Sequence, residues 1–431
     1  MSADATSRRA RKEAPHILQA FTDRAAWIRT ADILAVLIAA ALPISTSAVE
    51  IIGGFFVATL LPTIEWKPFT ALLKRPAAAL PLALVTLALL GLLWSDATWL
   101  ARAGALKSLS KLLMLPLLLY HFSRSSRGTN VFIAFLASCT FVMLWSFVVA
   151  VEPQLAFKRA NTSYGVPVKD YIDQSQEFAL CLFVVTGVAI RRYRDGERRR
   201  AVMLLVLASG FIASMAFLTL ARTAFVYMPV MLLVLVLFYF SRRIALALLV
   251  IGVVAAGGLY AISPNLQEKV ASISSQYEDY RGGDPITSVG LRLEYWRKSL
   301  KFVMEAPLVG HGTGSTRGLF ERETVNPVLP QAQIVSNPHN QTLNVAVQWG
   351  LVGIVLLYAL WTAHGLLFWE GTDIAAWVGL LVVVQNVVSS LFNSHLFDFH
   401  EGWMYVLGVG VAGGMILQAK IKSGSPDRTI Q

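Results

Sequence analysis

Long apolar runs, nearly free of charge, recur from residue 27 to residue 419. Each approaches the ~20 residues that a helix needs to cross the hydrocarbon core of a bilayer. In lipid, every backbone N–H and C=O must find its partner within the protein, which leaves such runs little choice but α-helix. The runs predict spans near 27–46, 48–64, 77–94, 107–122, 130–150, 177–191, 201–219, 222–240, 243–262, 341–366, 374–393 and 400–419. The expected fold class is therefore an all-α polytopic membrane protein of about 12 transmembrane helices, with a long, partly helical loop before the tenth. A chain that is 55% hydrophobic, 15% charged and of mean hydropathy +0.58 is excluded from the ordinary soluble domains. Cys139 and Cys181 both fall inside apolar runs and read as small hydrophobes, suggesting neither a disulfide framework nor a metal site.

The formal net charge of +11 would suit a nucleic-acid partner only if the charges formed one patch. They do not. With the N-terminus cytoplasmic, the alternation of spans puts Arg8, Arg9, Arg11 and Lys12 inside, then the Lys67/Lys74/Arg75 loop, Arg124 and Arg127. The Arg191–Arg200 loop, Arg242–Arg243 and Lys420/Lys422 follow on the same side. This is the positive-inside pattern, so the basicity is mostly topological and no nucleic-acid partner is expected. The N-terminus lacks the order of a cleavable signal, and the first span is expected to stay in the membrane. The organisation expected is a cytoplasmic tail 1–26, spans in 27–262, an outer segment 263–340, spans in 341–419 and a cytoplasmic tail 420–431. The outer side then receives 151–176, 219–223, 263–340 and 393–401. These segments carry Lys158, Arg159, Lys169, Arg281, Arg292, Arg297, Lys298, Lys301 and Arg317, and a positive outer cavity follows.

Within the outer segment, Ser288–Met304 reads as an amphipathic helix, with Leu293, Trp296, Leu300, Val303 and Met304 on one stripe and Lys298 and Lys301 opposite. It should stop before Pro307. Periodicity leaves open whether Arg292 or Arg297 faces inward. The turn Gly310-His311-Gly312-Thr313-Gly314-Ser315 has the glycines to present N–H groups to an anion, though a plain flexible turn has the same composition. Arg222 stands between two apolar runs with no acid nearby in sequence. An arginine at the hydrocarbon boundary is functional by default, and snorkelling to the headgroups is its bland alternative. The last polar feature is Asn337-Pro338-His339-Asn340-Gln341, which leads into an apolar helix carrying Gly350-Leu351-Val352-Gly353. Asn337 suits an N-cap and Pro338 a first helical position, which would set His339 in the first helical turn. The helix dipole there disfavours imidazolium and favours anions, so His339 is expected to be a neutral base beside a phosphate site. A histidine that merely caps an interfacial helix is the alternative.

The order of these features, His339-Asn340, nine residues, then Gly350-x-x-Gly353, preceded by Arg292, Trp296 and Pro307-Leu308-Val309-Gly310-His311-Gly312-Thr313-Gly314, resembles the O-antigen ligase superfamily. Arg222 in a short outer turn between spans matches it too, and the specific likeness covers roughly residues 200–360. The resemblance implies a GT-C-like architecture in the bacterial inner membrane, a periplasmic active site and both termini cytoplasmic. It also implies an undecaprenyl-pyrophosphate-linked glycan donor, lipid A-core as acceptor and no cofactor or metal. In that reading His339 is the catalytic base and Arg222 and Arg292 clamp the pyrophosphate, with Asn340, Arg159, Lys158 and Trp296 as auxiliary residues. An O-antigen polymerase, a protein O-oligosaccharyltransferase and, in another class, a flippase for lipid-linked sugar are the rivals. The flippase is disfavoured because the spans read as nearly bare of ionisable residues. Whether Asp398, His395, His400 and Glu401 join the site is left open by the sequence.

Overall fold

A computed structural model describes residues 23–157, 164–282, 287–324 and 334–423. The described residues form helices joined by turns, with no strand among them. A helix overlaps every one of the twelve apolar runs, which is what backbone satisfaction in lipid demands. Seven are long and apolar enough to cross a membrane: Thr46–Thr63, Trp99–Phe122, Gly128–Val151, Arg198–Phe217, Arg242–Ile262, Gln341–Trp369 and Phe399–Ser423. An eighth candidate is a bent pair, Trp66–Leu73 and Pro76–Leu90, which meet at 76°. The bend falls at Arg75-Pro76, where a proline ring disfavours helical geometry in the residue before it. Ala224–Tyr239 and Ile374–Ser389 are apolar but shorter.

Phe399–Ser423 is the hub. It packs along Met114–Phe122 and Ile374–Ser389, and 72% of its apolar window is buried inside the protein. Its close approach needs small residues: a Cβ on Gly410 would sit 2.6 Å from Leu118 Cβ. Arg242–Ile262 is the opposite case, with only 6% of its window buried. Leu246, Val253 and Val254 point outward from it, so lipid is the solvent that suits this helix. Between these extremes, Tyr171–Arg194 packs against Arg198–Phe217, and Gln341–Trp369 packs against Pro76–Leu90, Ile374–Ser389 and Ser288–Glu305.

The spans are less bare than their sequence suggests. Asp32 faces His121 at 2.9 Å, with both side chains buried. His364 sits between the Tyr405 hydroxyl at 2.6 Å and the Ala77 carbonyl at 2.9 Å. The sequence hides these groups because their partners lie 41 to 287 residues away. Asp32 also accepts from the Ser125 hydroxyl at 2.5 Å, so both groups have their polar atoms satisfied locally, as burial of a polar group requires.

Candidate functional site

The predicted amphipathic helix is present as Ser288–Glu305, capped by Thr287, whose hydroxyl accepts from Gly290 N at 3.2 Å. Its packing face differs from the expected stripe. Tyr295, Lys298, Ser299 and Phe302 are buried, whereas Leu300 and Met304 are exposed. The face is chosen by Phe320 and Val347, which form one cluster with Tyr295 and Phe302, and the Lys298 stem is long enough to cross it. Trp296 is turned toward the site, and its indole Nε1 donates to the His339 carbonyl at 3.4 Å.

His339 does not begin a helix. The helix starts at Gln341, and its N-cap is Asn340, whose Oδ1 accepts from Leu343 N at 3.0 Å. The Asn340 Nδ2 donates to the Leu391 carbonyl at 3.0 Å, so both ends of this amide are engaged in holding the backbone. His339 precedes the cap with φ +54, the one left-handed non-glycine residue described. That conformation costs a non-glycine residue about 1–3 kcal/mol and is held only where the surroundings over-determine it. Here Asn337 Oδ1 accepts from His339 N at 2.9 Å and from the Ser394 hydroxyl at 2.7 Å. Asn337 therefore closes a turn rather than capping the helix. The consequence is that the imidazole is thrown sideways, stacked 6.0 Å from the Tyr295 ring and with Nδ1 2.8 Å from Asn393 Oδ1. Burial and the nearby Arg292 charge hold its pKa below the ordinary value against the Asn393 hydrogen bond.

The glycine-rich turn is not an anion cradle, because its amides are used. His311 N donates to Val347 O at 2.9 Å, Gly312 N to Gln348 O at 2.9 Å and Thr313 N to Gly91 O at 3.0 Å. The Val347 and Gln348 carbonyls are free because their helix breaks at Gly350, at φ +58 and ψ −150, and Gly91 lies at the end of Pro76–Leu90. The loop closes on the break from both sides: Leu351 N and Val352 N donate to the carbonyls of Pro307 and Leu308. So the glycine pair of the motif and the glycine-rich turn form one inserted joint. His311 belongs to it structurally, bonded through Nε2 to the Phe302 carbonyl at 2.8 Å.

From this joint a directional chain of hydrogen bonds leads to His339. Gly314 N donates to Gln348 Oε1 at 2.8 Å, Gln348 Nε2 to Asn344 Oδ1 at 2.9 Å, and Asn344 Nδ2 to Ser394 Oγ at 3.0 Å. Ser394 then donates to Asn337, as above. A buried polar network of this kind, with its members satisfied, fixes one geometry.

Two arginines meet at the same place. Arg222 lies in the turn after Arg198–Phe217, which is pinned by Ala221 N donating to Ser175 Oγ at 2.9 Å. Its Nη1 donates to Gln276 Oε1 and to Ser288 Oγ, each at 2.8 Å, and no acid pairs with it among the described residues. Arg292 makes no hydrogen bond or ion pair with any described residue, and burial together with Arg222 lowers its pKa from the usual value. Two guanidiniums held together without a carboxylate leave positive charge for an anion to neutralise. Directly beside Arg222 opens an apolar cavity of ≈ 500 Å³, lined by Leu220, Ala224, Phe225, Met228, Tyr260 and Leu266 among others. Lys158 and Arg159 fall outside the described residues.

The loop before Phe399–Ser423 contributes what the sequence left open. Asn393 Nδ2 donates to Asp398 Oδ2 at 2.7 Å, which ties Asp398 to His339 through one amide. Burial pushes Asp398 up to about 7, and burial holds His395 at about 3. His395, Asp398 and Glu401 offer ligand atoms within 4.8 Å of one another, a set able to hold a divalent ion. The Lys111 ammonium already donates to the Phe397 and Asp398 carbonyls there, at 2.6 and 2.7 Å, and puts positive charge on the same spot. His400 faces Asp173 at 2.5 Å on the neighbouring helix. Asn393 was not legible, because a lone amide 54 residues from His339 carries no spacing signal.

The fold and site define a multi-pass membrane protein with a cationic, histidine-bearing site between its long polar segment and its apolar helices. Residues 204–358 match the sequence model of the O-antigen ligase family, a stretch that contains Arg222, Arg292, His339 and both motif glycines, and this match supports the O-antigen ligase superfamily. No protein of curated function matches the chain. Asn393 and Asp398 lie beyond the matched segment.

Proposed function

We propose that the protein is an O-antigen ligase, a glycosyltransferase that moves a glycan from undecaprenyl pyrophosphate to a sugar hydroxyl of lipid A-core. The observation that carries this reading is the sequence of environments along one face: an apolar cavity, then the Arg222/Arg292 pair, then His339. An isoprenoid tail, a diphosphate and an attacking hydroxyl need those three environments in that order. The acceptor oxygen attacks the anomeric carbon, the carbon–oxygen bond to the diphosphate breaks, and the bonding pair leaves with the diphosphate. The proton of the hydroxyl passes to His339. A single displacement inverts the sugar. Diphosphate is already a good leaving group, so positioning, a base and fixed positive charge suffice. The arginines take the charge-stabilising role without a metal. The basic-loop alternation and a helix over each of the twelve apolar runs support twelve spans, a periplasmic site in the inner membrane and cytoplasmic termini.

Proteoliposomes with donor and acceptor confined to one side test the reading. Lipid A-core, free glycan and protein are offered as separate acceptors, with excess EDTA. Transfer to lipid A-core alone, at the face bearing Ser288–Glu305 and undiminished by EDTA, is expected. Transfer to a growing glycan would make the protein a polymerase, transfer to protein an oligosaccharyltransferase, and movement of intact donor without transfer a flippase.

Arg222→Lys separates clamp from anchor. The ammonium keeps the charge and loses the planar fork, so single-turnover transfer is expected to lose about 1–3 kcal/mol of transition-state stabilisation. Full activity in the lysine variant would show that Arg222 only snorkels.

A further inference from the structure

We infer that Asn393, itself oriented by Asp398, is a positioning residue that fixes His339 as the Nδ1–H tautomer and leaves Nε2 as the only proton acceptor. The inference deepens the proposed base role of His339, but the tautomer itself stands on hydrogen-bond geometry.

Asp398 Oδ2 lies 2.7 Å from Asn393 Nδ2. Above about pH 7 Asp398 is ionised and only accepts, so the Asn393 amide is then held with its nitrogen toward Asp398. Its oxygen must then face the other way, toward His339 Nδ1 at 2.8 Å. Asn337 Nδ2 also points at this oxygen, from 3.2 Å, as only a donor would point at a carbonyl. The Asn337 orientation is fixed separately, since its own Oδ1 receives the His339 backbone N–H and the Ser394 hydroxyl. Two independent restraints thus make Asn393 Oδ1 an acceptor. Nδ1 of a neutral imidazole opposite an acceptor must carry the hydrogen, and the lone pair is left on Nε2. His339 Nε2 has no hydrogen-bond partner among the described residues, so it is available to a substrate hydroxyl. The charged and titratable groups around the pair are Arg292 and Tyr295 on Ser288–Glu305, His395 and Asp398 on the outer loop, and Lys111 and Asp173 behind them.

Ring-15N-labelled histidine in nanodiscs, above the titration of His339 and assigned by difference against His339→Gln, reads the tautomer directly. Wild type is expected to carry the hydrogen on Nδ1. In Asn393→Ala the Nε2–H form should appear, and the single-turnover rate should fall at least about tenfold while lipid-linked donor binds as before. For scale, a mis-set tautomer costs ~10⁴-fold in the Ser-His-Asp triad. Asn393→Asp should keep Nδ1–H and move the acidic limb of the pH–rate profile to higher pH, because a carboxylate facing the ring favours imidazolium. If Asn393→Ala does not fold, the double variant Asn337→Ala/Asp398→Ala provides the second test, since only loss of both restraints lets the Asn393 amide reverse and populate Nε2–H. An Nε2–H ring in wild type, or an unchanged tautomer in Asn393→Ala, would overturn the inference. A wild-type Nδ1–H ring combined with full transfer by His339→Gln would leave the tautomer assignment standing and remove the base role.

Discussion

His339→Gln is expected to lower glycan transfer by roughly 10²–10⁴-fold, the range typical of a lost general base, while still binding the lipid-linked donor. Glutamine keeps an amide of similar reach, so the Asn393 and Trp296 contacts around the backbone turn can persist, but it takes up no proton at neutral pH. Donor affinity should hold because Arg222, Arg292 and the apolar cavity are untouched. His339→Ala should be about as poor. In wild type the pH dependence follows from the direction of the shift. Burial and Arg292 hold the imidazole pKa below its ordinary value, so the neutral base predominates at pH 7 and transfer is lost as pH falls through the lowered value. Single-turnover transfer and donor binding across pH, in nanodiscs, check both statements. A glutamine variant that transfers at close to the normal rate would leave His339 a positioning role and put the whole reaction on the arginines.

The helices were legible because their signal is local. Each apolar run predicted a helix, and every one is present, since twenty residues in lipid have no alternative to helix. Arg222 stands out as a charge in conflict with its surroundings, His339 by its place where the polar segment meets an apolar helix, and Arg292 through the family resemblance alone; the structure brings the three together. The local geometry at His339 was misread for a definite reason. Asn337-Pro338 is a good helix start, but Asn340 is as good a cap, and the choice is made by Asn393, Ser394 and Leu391 from a loop more than fifty residues on. The packing face of Ser288–Glu305 failed in the same way. Two stripes of that helix are apolar, and Phe320 and Val347 select one of them. The composition of the glycine-rich turn fits an anion site; the carbonyls that occupy its amides come from the break at Gly350 and from the end of Pro76–Leu90, both brought to it only in three dimensions.

That break gives the largest expected effect on stability. Gly350→Ala should destabilise the protein by about 3 kcal/mol or more, whereas Gly365→Ala, on the same helix, should be neutral or slightly stabilising. Gly350 adopts φ +58 and ψ −150, a region essentially closed to residues with a Cβ. A Cβ there would also lie 2.4 Å from the Leu308 carbonyl carbon and 2.6 Å from Val309 N, which are backbone atoms that cannot swing aside. The inserted loop would have to withdraw, giving up the bonds from His311 and Gly312 to the broken helix and leaving buried amides unpaired. At Gly365 a Cβ meets nothing within 4 Å and the backbone is helical, so alanine gains only its helix propensity, up to ~1 kcal/mol. The loss should reach function as well as stability. Gly314 N starts the chain through Gln348, Asn344 and Ser394 to Asn337, so releasing the loop frees the amide that holds His339 in its left-handed conformation. Thermal unfolding in detergent, limited proteolysis between residues 305 and 315, and transfer by the surviving folded fraction separate the two effects. Equal stability of the two alanine variants would mean that the joint bends without the loop. A Gly350→Ala protein that is destabilised yet transfers normally below its transition would mean that His339 is held from the Asn393 side alone.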